Sequence, residues 1–123
     1  MYELVKQFRF DAAHTLERTI DADGSRRIHG HSFRAEVTLR GVPDAASGMI
    51  VDASILAKQL ETVRDRLDHR FLDEINDLGP ATMENLCAYI WRHLKPSLPG
   101  LHCVTVLRDS TEDRVNYFGD LVS

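Results

Sequence analysis

The chain has 123 residues, with 15 Lys and Arg against 19 Asp and Glu, a net charge of −4 and 43% hydrophobic residues. That balance suits one compact domain over residues 1–123, with no apolar run long enough for a bilayer and no basic face of the kind a nucleic acid needs. "MYELVKQFRF" lacks the pattern of a signal peptide, and Cys87 and Cys103 match no zinc or redox spacing, so a cytoplasmic chain with reduced thiols is expected.

Residues 2–13 are expected to form a strand, with Leu4, Phe8, Phe10 and Ala12 on one parity and Glu3, Gln7, Arg9 and Asp11 on the other. A long polar connection follows, "TLERTIDADGSRRI", and such lengths in compact domains often carry function. Residues 31–40 alternate more clearly still, Phe33, Ala35, Val37 and Leu39 against polar partners, as in an antiparallel sheet with one wet face. Gly41, Pro43 and Gly48 mark a loop. Asp52 then caps a helix whose stripe is Ile55, Leu56, Leu60, Val63 and Leu67. A second helix starts near Thr82, with Glu84 in its first turn and Leu86, Ile90 and Leu94 along one side, and Pro96 and Pro99 end it. Residues 101–109 and 114–118 read as two final strands joined by "STED". The order β-β-α-α-β-β predicts an α+β fold, with helices on one face of an antiparallel sheet.

The chemistry concentrates in histidines. In an extended segment His29 and His31 point to one side, with Gly30 between them leaving room for a metal or substrate. His14 ends the first strand on its apolar parity, so a hairpin would bring it beside the pair. Three neutral imidazoles with an open position are the donor set of a catalytic zinc. The alternative is a polar loop running into a sheet, which is the commoner meaning of an isolated H-G-H. Asp68-His69 could act as a general acid/base pair or be the solvated end of a helix. Arg26 and Arg27 could meet an anionic group or be plain surface, and His93 and His102 are expected to have no direct role.

"FDAAH", "RIHGHSF", "LDHRFL", "TMENL" and "VLRDST", in that order, resemble the 6-pyruvoyl-tetrahydropterin synthase family, whose bacterial branch includes 6-carboxy-tetrahydropterin synthase of queuosine biosynthesis. The resemblance runs through almost the whole chain. It implies the tunnelling fold: a four-stranded antiparallel sheet with two helices on one face, trimers built edge to edge, hexamers made of two trimers, and active sites at subunit interfaces. It implies Zn²⁺ held by His14, His29 and His31, with His69 and Asp68 moving protons. The implied substrate is 7,8-dihydroneopterin triphosphate or a related reduced pterin. Thr82 and Asp109 would contact the pterin, and Arg27 could contact the triphosphate.

Two positions depart from the family pattern. Ser25 stands where the family has its catalytic cysteine, and a hydroxyl is a far poorer base than a thiolate. Asp21 or Asp23 could take over as base. Asp109 stands where the family has a pterin-anchoring glutamate, one methylene longer. The expectation is a zinc-dependent pterin lyase with triphosphate elimination or side-chain cleavage as its reaction. Against it stand a pterin-binding homologue without turnover and an oligomer in which zinc only staples the hairpin.

Overall fold

The computed structural model describes residues 1–16 and 26–120. Strands β1 (Tyr2–His14) and β2 (His29–Gly41) are followed by helix α1 (Ala53–Leu67), the short strand β3 (Arg70–Phe71) and a 3-10 turn (Leu72–Glu74). Helix α2 (Met83–Leu94) and strands β4 (Leu101–Arg108) and β5 (Asp113–Tyr117) complete the order.

The strands form one sheet in the order β3-β1-β2-β4-β5. β1 and β2 pair antiparallel without a slip, from Tyr2 opposite Gly41 to His14 opposite His29. β2–β4 and β4–β5 are also antiparallel. The expected four antiparallel strands are therefore present, and a fifth, β3, adds a parallel bridge at Ala12 and Ala13. Its cause is the turn after α1. His69 adopts a left-handed backbone (φ 57°), and its N–H donates to the Asp11 carbonyl at 2.7 Å, laying Arg70 and Phe71 along β1. A two-residue strand has no periodicity to read.

The alternation read from sequence holds. Phe8, Phe10, Ala12, Phe33, Ala35, Val37 and Leu39 are buried, and the opposite parity of β1 and β2 is exposed or half-buried. Leu56, Leu60, Val63 and Leu67 of α1 and Leu86, Ile90 and Leu94 of α2 join the same core. Ile55 does not: it is 53% exposed, at the rim of the stripe. The caps are as expected, with Asp52 Oδ1 accepting from the Ser54 and Ile55 N–H groups and Thr82 Oγ1 from that of Asn85. β4, flanked on both sides, buries Cys103, Thr105 and Leu107 as well as Val104 and Val106. At the β2–β4 irregularity, a Cβ on Gly100 would sit 2.9 Å from the Arg40 carbonyl oxygen, so only glycine fits without a shift.

Phe10 is buried and stacks on Phe33 across the β1–β2 pair, ring centroids 5.0 Å apart. Phe10→Ala is expected to destabilise the protein by about 3–5 kcal/mol in urea unfolding. Removing the α1 cap in Asp52→Ala should cost about 1 kcal/mol. A loss for Phe10→Ala no larger than that for the cap would contradict this description of the core.

Candidate metal centre and its surroundings

His14 and His29 face each other at the open end of the β1–β2 ladder, and His31 lies two pairs further in, opposite Ala12. The ring centroids are 4.5 Å (His14–His29), 4.8 Å (His14–His31) and 5.0 Å (His29–His31) apart. The three available ligand atoms lie within 4.8 Å of one another. His14 is buried and the other two are half-buried.

Each tautomer follows from its partner. His14 Nδ1 sits 2.7 Å from the Ala81 carbonyl oxygen and His29 Nδ1 sits 2.8 Å from that of Arg27. A carbonyl only accepts, so both Nδ1 atoms carry the proton and both Nε2 atoms keep the lone pair. Arg108 Nη1 donates to His31 Nε2 at 3.1 Å, which puts the third lone pair on Nε2 too. Backbone carbonyls that fix a ring in this way are the usual outer partners of metal-bound histidine.

His14 Nε2 is buried and has no hydrogen-bond partner among the described residues. Leaving such an atom unpaired costs roughly 1–3 kcal/mol, and a bond to a metal would use that lone pair. Burial, then the neighbouring His29 and Arg108 charges, pull His14 below the ordinary histidine range against the Ala81 bond. Burial first, then Arg108, His14 and His29, bring His31 down to about 4. Both rings are thus neutral near pH 7, the form that binds metal. The donor set, tautomers and orphaned nitrogen together fit a metal ion.

Gly30 does not make room beside the imidazoles. Strand alternation puts it on the opposite face, where an added Cβ would meet only the Ala12 carbonyl oxygen at 3.7 Å. It instead borders a cleft of about 590 Å³ with Asp11, His31, Ser32, His69 and Arg70.

Asp68 and His69 form a second group. Asp68 Oδ1 accepts from the Asp11 N–H at 2.9 Å, and Asp68 Oδ2 is 3.0 Å from both His69 Nδ1 and Arg64 Nη2. Asp11 in turn accepts from the Ser32 hydroxyl at 2.6 Å. The Asp11 N–H holds the Asp68 carboxyl below its usual range against desolvation, helped by Arg64 and His69. The His69 side chain is 80% exposed, free to meet a ligand in the cleft while Asp68 orients it.

The remaining expected residues are dispersed. Thr82 spends its hydroxyl on the α2 cap, while the carbonyl of its neighbour Ala81 holds His14. Arg27 is exposed and contributes its carbonyl to His29. Both carboxylate oxygens of Asp109 accept from Arg34, at 2.8 and 3.2 Å, in an exposed turn just past β4. Ser25, Asp21 and Asp23 lie outside the described residues. His93 pairs with Asp77 at 3.0 Å, and His102 packs on Phe118 with ring centroids 5.7 Å apart; both lie away from the cluster. Arg108 was missed by the sequence reading, although it continues the inward parity of Val104 and Val106.

Three histidines whose geometry fits a metal ion thus close one end of an α+β sheet, beside a carboxylate-oriented histidine. More particularly, the chain belongs to the 6-pyruvoyl tetrahydropterin synthase family, whose model matches residues 3–119. It is 35% identical over 129 aligned residues to a 6-carboxy-5,6,7,8-tetrahydropterin synthase of Synechocystis, covering 100% of this chain and 98% of that one. A dihydroneopterin monophosphate aldolase of Pyrococcus furiosus is 33% identical over 97 residues, or 79% of this chain and 78% of the relative. The solved structure of Caenorhabditis elegans 6-pyruvoyl tetrahydropterin synthase superposes with a TM-score of 0.81 at 29% identity, covering 97% of this chain and 96% of that one. No helix among the described residues is long and apolar enough to cross a membrane.

Burial pushes the Cys87 thiol up to about 12, and Cys103 is also buried; both are free. Neither should react with a thiol reagent at pH 8 until the protein is unfolded, and fast labelling of either in the native state would contradict this. Asp68 provides a second test. Its folded pKa is depressed, so its ionised form stabilises the fold above the unfolded value of about 3.9, and this contribution is lost as pH falls through the folded value. Asp68→Asn should therefore be less stable than the parent at pH 7, with the gap closing in urea titrations as the pH falls from the unfolded value through the depressed folded one. A gap independent of pH would assign the loss to packing instead.

Proposed function

We propose that this protein is a zinc-dependent lyase acting on 7,8-dihydroneopterin triphosphate or a related reduced pterin. The observation that carries the reading is the convergence of three imidazoles on one point, with His14 and His31 held neutral by burial and His14 Nε2 left without a partner among the described residues. Nitrogen-rich, borderline-soft donors of this kind suit zinc. When bound, zinc supplies Lewis acidity toward side-chain oxygens of the substrate and so acidifies the neighbouring C–H.

The protein's own residues do the rest. His14, His29 and His31 hold the ion, and the carbonyls of Ala81 and Arg27 keep two of the rings aimed. His69 Nε2, with Nδ1 turned toward Asp68, moves a proton to or from the substrate in the cleft that His69 and His31 both border. No accessible thiol supports this chemistry: Cys87 and Cys103, the chain's two cysteines, are buried, and Ser25 takes the family cysteine position. Proton abstraction then falls to His69 or to a carboxylate of the 15–28 connection, Asp21 or Asp23. Thr82 and Arg27 remain candidates for pterin and phosphate contacts. Asp109 would take the amino-pyrimidine edge by exchanging Arg34, and an exposed ion pair of this kind is weak enough to exchange.

A homo-oligomer, a hexamer of two trimers, belongs to the same proposal. Among the described residues β5 is one edge of the sheet, and β1 from Tyr2 to Asp11 has no strand on its outer side, so copies joined edge to edge would continue the ladder. Two unpaired thiols suit a reducing, cytoplasmic setting.

The missing thiol favours one second reading: a pterin-binding homologue that does not carry out the family reaction. Anaerobic turnover of 7,8-dihydroneopterin triphosphate by the zinc form, following triphosphate, aldehyde and pterin products, separates the two. Turnover by the native protein that falls by about 10²–10⁴ in His69→Ala, and is lost with zinc content in His14→Ala, is the expected result. Activity that appears only in Ser25→Cys would sink the lyase reading and leave the binding one.

A further inference from the structure

Arg108 ends β4 beside Phe33 and His31, on the inward parity of Val104 and Val106. Its side chain is only 20% exposed. Nη1 donates to His31 Nε2 at 3.1 Å, Nη2 lies 3.5 Å from Asp113, and the buried Nε finds no acceptor among the described residues. Guanidinium groups only donate, and a neutral imidazole has a single lone pair. Arg108 therefore holds the lone pair of His31 that a three-histidine metal centre needs. With that lone pair committed to a metal, Nη1 loses its acceptor. A largely buried guanidinium with two unpaired N–H groups is costly unless an acceptor arrives, and an oxyanion is the strongest available.

The space for one lies alongside. A cavity of about 160 Å³ is lined by His14, Phe33, Thr82, Met83, Glu84 and Arg108. It holds the volume of roughly five waters. The first turn of α2 forms part of its wall, and backbone N–H groups at that position have no intrahelical acceptor. The acidic groups nearby among the described residues, Asp73, Glu84 and Asp113, are all exposed, so water screens them more than it screens Arg108.

We propose that Arg108 is a specificity-determining residue that, with a metal on His31, binds a carboxylate or phosphate group of the ligand next to the metal. This rests on the metal-centre reading above. It narrows the ligand class to molecules that carry an oxyanion close to the oxygen presented to the metal.

The test uses the cobalt(II)-loaded protein, whose visible spectrum reports ligands at the metal independently of turnover. Three probes share a hydroxymethyl group: glycolate, hydroxymethylphosphonate and neutral glycolamide. At least one of the two anions should bind the native protein about tenfold or more tighter than Arg108→Gln, with Arg108→Lys in between. Which anion responds identifies the carboxylate or the phosphate as the group recognised. Glycolamide should bind all three proteins alike. If Arg108→Gln does not load cobalt, Arg108→Lys carries the comparison, with weaker anion binding than the native protein expected. Equal anion affinities in the native and variant proteins would overturn the proposal and leave the metal centre standing. A parallel loss of glycolamide would also overturn it, reducing Arg108 to a structural support. A native protein without a cobalt spectrum would overturn both.

Discussion

The Phe10–Phe33 stack across β1 and β2 secures the feature on which the site depends, the register of those two strands. Because side chains alternate every residue, a slip of one position would turn either strand's apolar set out of the core. It would carry the imidazoles with it. His14, His29 and His31 occupy the same parity as Phe10 and Phe33, so the burial that fixes the hairpin also turns all three imidazoles toward one point. The histidine cluster is thus an extension of the hydrophobic face into its polar end.

Support for the cluster comes from distant parts of the chain. The Ala81 carbonyl, just before the α2 cap, orients His14, and Arg108 at the end of β4 touches His31. Thr15, the residue after His14, is tied by its backbone and hydroxyl to Asp73 in the 3-10 turn. The Asp68–His69 pair is anchored to the same strand by two backbone bonds at Asp11, one to its N–H and one to its carbonyl. The three histidines and the Asp68–His69 pair are therefore referenced to the last four residues of β1.

Much of this was legible in the residues. Parity placed His14 with Phe8 and Phe10, two-residue spacing joined His29 to His31, and Asp52 and Thr82 marked where helices begin. What escaped had no side-chain signal. The Ala81 and Arg27 carbonyls that set the tautomers are backbone groups, and β3 is two residues long and held by the left-handed turn at His69. Gly30 has no side chain to show that strand alternation turns it from the imidazoles toward the cleft. Arg108 is the exception, a charge at the end of an inward-facing row.

All three imidazoles of the centre belong to the first 31 residues, whereas the groups that aim two of them arrive at positions 81 and 108. During synthesis the ligands leave the ribosome well before those supports do. A nascent chain consequently exposes His14 and His31 with tautomers and directions unset, while the Arg27 carbonyl that orients His29 is already present, and the ordered cluster must wait until β4 has joined β2. The geometry of the cluster is in this sense a property of the finished chain.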